Sequence, residues 1–198
     1  VRLTAYIIAL SLLCVSLAWA APPKPRPLAG IGVLTLTTKG TLQDGSSPLL
    51  SLYREPGVGR MTDLDPADFP SMTPAIKGSP GMINIAFTRK RGDWVKVIFD
   101  DSGREGWLAL GHGMRFKSWK RYLQGGEVRL LNGLKKDFYQ LRPQPSAAAK
   151  PVAAVSKEKR LRVVELDDSW ILVLVDLENS GWLRWKDDDG RLLISVEH

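Results

Sequence analysis

The chain is poor in cysteine and histidine, the residues that most often carry metal and nucleophile chemistry. Of its 198 residues one is cysteine, Cys14, and two are histidine, His112 and His198. The single cysteine lies in an apolar N-terminal run, so no disulfide staples the rest of the chain and its fold must rest on hydrophobic burial. Two histidines without a neighbouring cysteine make no zinc site. No glycine loop of the phosphate-cradling kind occurs. Aspartates are frequent, but "DLDPAD" (63–68) lacks the glycine and the closing Glu of a calcium loop. With Asp100, Asp101 and "DDD" (187–189) it reads as solvated turn. No nucleophile stands with a base, and the sequence predicts no metal, no cofactor and no catalysis.

Charge is present but local. The net charge is +7, yet residues 31–113 carry nine basic and nine acidic side chains, and residues 127–198 carry twelve of each. The surplus sits in Arg2, Lys24 and Arg26, and in "MRFKSWKRYLQGG" (114–126), which holds Arg115, Lys117, Lys120 and Arg121. Phe116, Trp119 and Leu123 in that stretch recur at helical spacing, and Gly125 and Gly126 follow as a stop. The pattern predicts a short amphipathic helix near 114–124, a basic connector between two neutral modules. Such a patch attracts anionic envelope polymers and, weakly, an anionic membrane surface. Nucleic acid is not an expected partner, because the N-terminus points to export.

That N-terminus, "VRLTAYIIALSLLCVSLAWA" (1–20), has one early cation, an apolar run and then Ala18-Trp19-Ala20. This is the layout of a cleaved secretory signal, so the chain is expected to be periplasmic or cell-wall associated. Leu13 stands where a lipoprotein signal wants a small residue before its cysteine. "APPKPRPLAG" (21–30) follows; its prolines fix φ and remove backbone donors, which predicts an extended spacer.

From residue 31 the texture is β. "IGVLTLTT", "PLLSLYRE", "MINIAFTRK", "DWVKVIF" and "REGWLAL" are strand-like runs separated by glycine-bearing turns. Residues 54–81 hold five prolines and read as a long covering or functional loop. Residues 143–157 read as a loop of the second module. Two stretches repeat: "GDWVKVIFDDSGREGWLAL" (92–110) and "DSWILVLVDLENSGWLRW" (168–185) each run from Trp through apolar residues and a polar turn to Gly-Trp-Leu.

With "SLYREPG" before the first copy and "YQLRPQPS" before the second, the pattern resembles the bacterial SH3-like domain, a small five-stranded barrel. Leu108 and Leu183 stand where that family usually has Val, and residues 31–38 have no counterpart in it. The resemblance implies an all-β chain of two small SH3-like β-barrels, 31–113 and 127–198, joined by a short helical connector (114–126). It implies a non-catalytic exported module binding peptidoglycan or another cell-envelope component; the alternative is a protein–protein adaptor in an envelope assembly. The papain-like cell-wall peptidases often joined to such barrels need a cysteine that the mature chain would lack.

Within that frame Trp94 and Trp107, and Trp170 and Trp182, are expected as core aromatics facing each other across their hairpins. Trp185 lies three positions after Trp182, on the opposite strand face. It is either an exposed stacking aromatic or packed under the connector. The expected ligand-binding set is therefore Tyr53 and Trp185 for stacking, with Arg115, Lys117, Lys120 and Arg121 for charge.

Overall fold

The structure, a computed structural model, describes residues 25–37, 48–176 and 179–197. The expected export signal (1–20) and the first part of the spacer lie outside the described residues. Strands β1 (Gly32–Thr37), β2 (Leu50–Glu55), β3 (Val58–Leu64), β4 (Met82–Arg91), β5 (Trp94–Ile98), β6 (Glu105–Ala109) and β7 (Met114–Ser118) form one sheet. Its order is β3-β2-β6-β5-β4-β1-β7, antiparallel throughout. Helix α1 (Trp119–Leu123) leads to β8 (Glu127–Leu130), and β9 (Gln140–Leu141) pairs with β10 (Ala153–Ala154) as a short ribbon. Strands β11 (Leu161–Asp167), β12 (Trp170–Leu174), β13 (Ser180–Arg184) and β14 (Ile194–Glu197) complete a second sheet, ordered β13-β12-β11-β8-β14.

The chain is mainly β, as expected, but neither sheet closes into a barrel. β3 and β7 are unpaired edges of the first sheet, because β1 inserts between β4 and β7 and widens it. In the second sheet, other segments take the place of closure. Ile76 forms a parallel bridge to Val196 on β14, and Arg142 bridges Trp182 on β13.

The basic stretch 114–126 departs from the predicted helix. Residues 114–118 are the strand β7, in register with β1 (Leu34 opposite Phe116), and only Trp119–Leu123 is helical. A helix of three turns is marginal alone, whereas β1 offers a free row of backbone partners. Nor is 54–81 a plain loop. It supplies β3, a 3-10 turn at Pro66–Asp68 capped by Asp65, and then Phe69 to one core and Met72, Ala75 and Ile76 to another.

The cores explain why these pieces hold together without a disulfide. One cluster lies against the first sheet and includes Leu34, Leu36, Leu52, Ile85, Phe87, Val95, Val97 and Leu108. The second joins Val33, Ala86 and Ile98 of the first sheet to Trp119 and Leu123 of α1 and to Val128, Leu161, Ile171, Leu183 and Trp185 of the second. Alternation along β1 therefore feeds both cores, Leu34 and Leu36 one and Val33 the other. The residues expected as a free spacer are built into the same junction. Ala29 donates to the Gly190 carbonyl at 2.8 Å, Leu192 donates to that of Pro27 at 2.9 Å, and the Arg26 guanidinium pairs with Asp187 at 2.6 Å.

Candidate binding face

The tryptophans exchange the places expected of them. Trp185 is 2% exposed, its indole N–H donates to the Asp168 carbonyl at 2.8 Å, and its ring lies 5.2 Å from that of Trp119. Of the two alternatives for this residue the packed one holds, and it cannot stack on a ligand. Trp94, Trp107, Trp170 and Trp182 sit on the opposite side of their strands from the core residues. In β5, Val95 and Val97 face the core, so Trp94 and Lys96 face outward; in β6, Gly106 and Leu108 face inward, so Trp107 and Ala109 face outward. Trp94, Trp170 and Trp182 are half-buried. Trp107 is 5% exposed, yet it belongs to neither core cluster. Nor do the tryptophans pair across their hairpins. Trp94 lies opposite Ala109, Trp107 opposite Lys96, Trp170 opposite Arg184 and Trp182 opposite Leu172.

On the first sheet the outer face is built in cross-strand rows. Tyr53 lies opposite Trp107, Trp107 opposite Lys96, and Lys96 opposite Arg89; the next row sets Arg91 opposite Trp94. A β-bulge places the two arginines there. The register shifts between Phe87 and Arg89, so Phe87 faces the core opposite Val97 while Arg89 and Arg91 turn outward. Thr88, the extra residue, sends its hydroxyl to the Lys96 carbonyl at 3.4 Å. The Tyr53 ring meets Trp94 edge-on at 5.4 Å. An open groove of about 450 Å³ runs over this face, lined by Ile31, Glu55, Thr88, Arg89, Lys90, Arg91, Lys96 and Trp107.

Charge on the face is predominantly positive. Lys96 pairs with Glu105 at 3.1 Å and Arg91 with Glu55 at 3.7 Å, while Arg89 and Lys90 have no ion pair among the described residues. Burial pushes the Glu105 carboxyl up, but hydrogen bonds with Thr88 and Lys96 outweigh it and hold the group below its usual value. The buried indole N–H of Trp107 has no hydrogen-bond partner among the described residues. Among the described residues no cluster of His, Cys, Asp and Glu could hold a metal, and no helix is long and apolar enough to cross a membrane.

The second sheet repeats the construction with different chemistry. The same bulge falls between Val163 and Glu165, opposite Val173 and Leu172. Register then equates Arg89 with Glu165, Arg91 with Asp167, Lys96 with Leu172, Trp94 with Trp170 and Trp107 with Trp182. Glycine fixes the remaining equivalence. A Cβ at Gly106 would lie 3.2 Å from the Leu52 Cβ, and one at Gly181 would lie 3.0 Å from the Leu141 Cδ2, so each glycine lets a leucine of the neighbouring segment pack closely on it. Leu52 thus matches Leu141, and Tyr53 matches Arg142. Arg142 is 5% exposed and turned onto its own loop, donating to the carbonyls of Ala147 and Ala149 and pairing with Asp137. Arg184 lies over the Trp170 ring at 5.8 Å. The half-buried Tyr53 and the outward arginine pair stand on the first sheet, where the second has Arg142, Glu165 and Asp167.

Of the residues predicted as a site, Tyr53 lies on this face. Arg115 and Lys117 are on β7, separated from β2 by four strands in the sheet order, and Lys120 and Arg121 are on α1. All four cations are exposed and without an ion pair among the described residues. Sequence reasoning missed Arg89, Arg91, Lys96 and Trp94 as site residues. Alternation alone would have placed Trp94 and Lys96 together, whereas the bulge that turns Arg89 and Arg91 has no signature in the run "AFTRKR".

No family model matches the chain, and no curated protein matches it. Among solved structures it is similar to an NlpC/P60 family protein from Bacillus cereus ATCC 10987, at 24% identity and a TM-score of 0.22. That likeness covers 51% of this chain and 34% of the other, about a third of its length. At that TM-score it assigns neither fold nor activity.

Proposed function

We propose that the chain is a non-catalytic, exported binding module that holds an anionic component of the cell envelope, peptidoglycan or another wall polymer, on the outer face of its first sheet. The two sheets are read as diverged SH3-like modules, a reading supported by the shared bulge and by the leucine packed on the glycine of each Gly-Trp-Leu. The observation that carries the binding assignment is the internal comparison. At equivalent positions one repeat has Arg89, Arg91 and Tyr53, and the other has Glu165, Asp167 and an internally committed Arg142. Cations on an open aromatic surface suit a polymer with repeated carboxylates or phosphates. Charge supplies attraction, screened beyond about 8–10 Å at physiological salt, and the flat rings supply contact with sugar or peptide planes. The exposed cations Arg115, Lys117, Lys120 and Arg121 add long-range attraction from the far edge of the sheet.

Co-sedimentation with purified wall sacculi across a salt series tests the proposal. Arg89→Gln with Arg91→Gln is expected to weaken retention and flatten its salt dependence, and Tyr53→Ala to weaken it alike at low and high salt. If neither change alters retention, the chain is better read as an adaptor in an envelope assembly, and its partner is to be sought by crosslinking.

A further inference from the structure

β7 is the last strand on its side of the first sheet, and its far edge is open. The Trp119 amide donates to the Ile31 carbonyl at 3.3 Å and the Thr37 amide to that of Gly113 at 3.0 Å. With the β1–β7 register, residues 113, 115, 117 and 119 therefore bond toward β1, and those between them turn the other way. The Phe116 N–H and C=O, the Met114 C=O and the Ser118 N–H point off the sheet, with no strand to meet them among the described residues. Residues 115–118 are exposed throughout.

The two faces of this edge differ in chemistry. Met114 and Phe116 lie opposite Leu36 and Leu34, on the face of the first core. Met114 packs against that core, and the Phe116 ring meets Phe87 edge-on at 6.0 Å, with the Lys90 ammonium 5.1 Å from its centre. Phe116 is still 43% exposed, so the apolar layer runs out to solvent there. Arg115 and Lys117 lie on the other face, opposite Thr35 and Val33. Neither has an ion pair among the described residues, and no acidic residue occurs between Glu105 and Glu127.

We infer that β7 accepts one more antiparallel strand from a protein partner, an extended segment in which apolar and acidic residues alternate. Main-chain hydrogen bonds to the open edge supply affinity, and alternate side chains supply selectivity. Register sets the pattern: residues opposite Met114 and Phe116 continue the apolar face, and residues opposite Arg115 and Lys117 place carboxylates by the cations. A second copy fits poorly. Antiparallel pairing of β7 with itself about Phe116 sets Arg115 of one copy opposite Lys117 of the other, and like charges directly opposite are destabilising. A polyanion without a peptide backbone would engage the cations but leave the edge N–H and C=O groups and Phe116 unmet. The inference does not rest on the wall-polymer reading, which uses Tyr53, Arg89 and Arg91.

The test titrates the full chain into a capped, fluorescein-labelled peptide Val-Glu-Val-Glu-Val and follows polarisation. Saturable binding is expected, with none for Val-Lys-Val-Lys-Val. N-methylation of the central valine removes the donor to the Phe116 carbonyl and should weaken binding about fivefold or more. Ser118 has φ −63°, which proline shares, and its N–H lies outside the ladder to β1. Ser118→Pro thus leaves the strand in place and should weaken binding by a similar factor. Arg115→Gln with Lys117→Gln should weaken it most at low salt, and Arg89→Gln with Arg91→Gln should leave it unchanged. Amide exchange by NMR should slow at Phe116 and Ser118 when the peptide binds. Absence of binding, equal binding of the lysine peptide, or no slowing at those two amides overturns the inference. Binding that survives both N-methylation and Ser118→Pro overturns it in favour of a simple polyanion site. Slowing at Phe116 and Ser118 that rises with protein concentration without peptide overturns it in favour of a second copy.

Discussion

Trp185 and Trp94 have the same side chain in opposite environments, and their substitution should separate core from surface. Trp185 is enclosed by Trp119 and hydrogen-bonded to Asp168, so Trp185→Ala leaves a cavity and an unpaired carbonyl. The expected loss is about 3–5 kcal/mol. Trp94→Ala removes a half-buried ring whose main aromatic contact is Tyr53, worth about 0.5–1.5 kcal/mol. Urea midpoints of the two variants check this, and equal shifts would place Trp94 in the core. At Gly181 the added methyl of an alanine would press on Leu141 and on the Arg142 carbonyl at 3.3 Å, so Gly181→Ala should cost about 1–3 kcal/mol. These placements were largely legible. In "WVKV" alternation sets Trp94 with Lys96 and against Val95, and in "GWLRW" it sets Trp185 with Leu183 and against Arg184. The large size of a tryptophan suggested core; the period of the strand pointed the other way, and the period was right. The same alternation sets Tyr53 against the buried Leu52, and it is half-buried on the outer face.

At the scale of elements, the turn between β5 and β6 shows how a hairpin is closed by one carboxylate. Asp100 accepts from the Ser102 amide at 3.1 Å, the Ser102 hydroxyl at 2.8 Å and the Arg104 amide at 2.8 Å, and it also pairs with the Arg104 side chain. Burial pushes this group up, but together those hydrogen bonds hold it down at about 2, against an ordinary value of 3.8. Because the folded value is depressed, the stabilisation is fully present above the ordinary value and is lost as pH falls through about 2. Asp100→Asn should therefore be less stable than the parent near neutrality, with the gap narrowing between about pH 4 and pH 2. Urea titrations at several pH values measure that gap; a constant gap would mean the ionised form plays no part. The turn itself was visible in "DDSG". The bulges at Thr88 and Val164 were not, since a single extra residue in a strand changes register without changing composition. The strand character of 114–118 was hidden for a related reason. "MRFKS" alternates apolar and polar as a strand does, but the helical spacing of Phe116, Trp119 and Leu123 competes with it, and what decides for the strand is the open edge of β1, a partner distant in sequence.

The whole molecule is less divisible than its repeat suggests. Two neutral halves around a basic connector describe the sequence correctly, yet the larger core draws on both sheets, on α1 and on the residues just after the proline-rich start. Leu123 is at the centre of that arrangement. Its side chain is fully buried in α1, which packs between Val33 of the first sheet and Val163 of the second, while Gly125 and Gly126 exchange backbone hydrogen bonds with Val163 at 2.9 Å. A linker would transmit nothing from one module to the other, whereas a shared core couples their unfolding. Leu123→Ala should thus cost about 2–5 kcal/mol and lower the stability of both sheets together. Hydrogen exchange under native conditions can follow β5–β6 and β12–β13 separately in one sample. The protected amides of the two hairpins are expected to lose protection by the same free energy in the variant. If those of β12–β13 fall while those of β5–β6 keep the parent value, the sheets unfold independently and Leu123 belongs to the second alone. A coupled result bears on the proposed binding: the outer rows around Tyr53 on the first sheet, proposed to meet a polymer, are then held by a core that spans the chain. Substitutions in the second sheet would weaken retention on sacculi through stability, without touching a ligand.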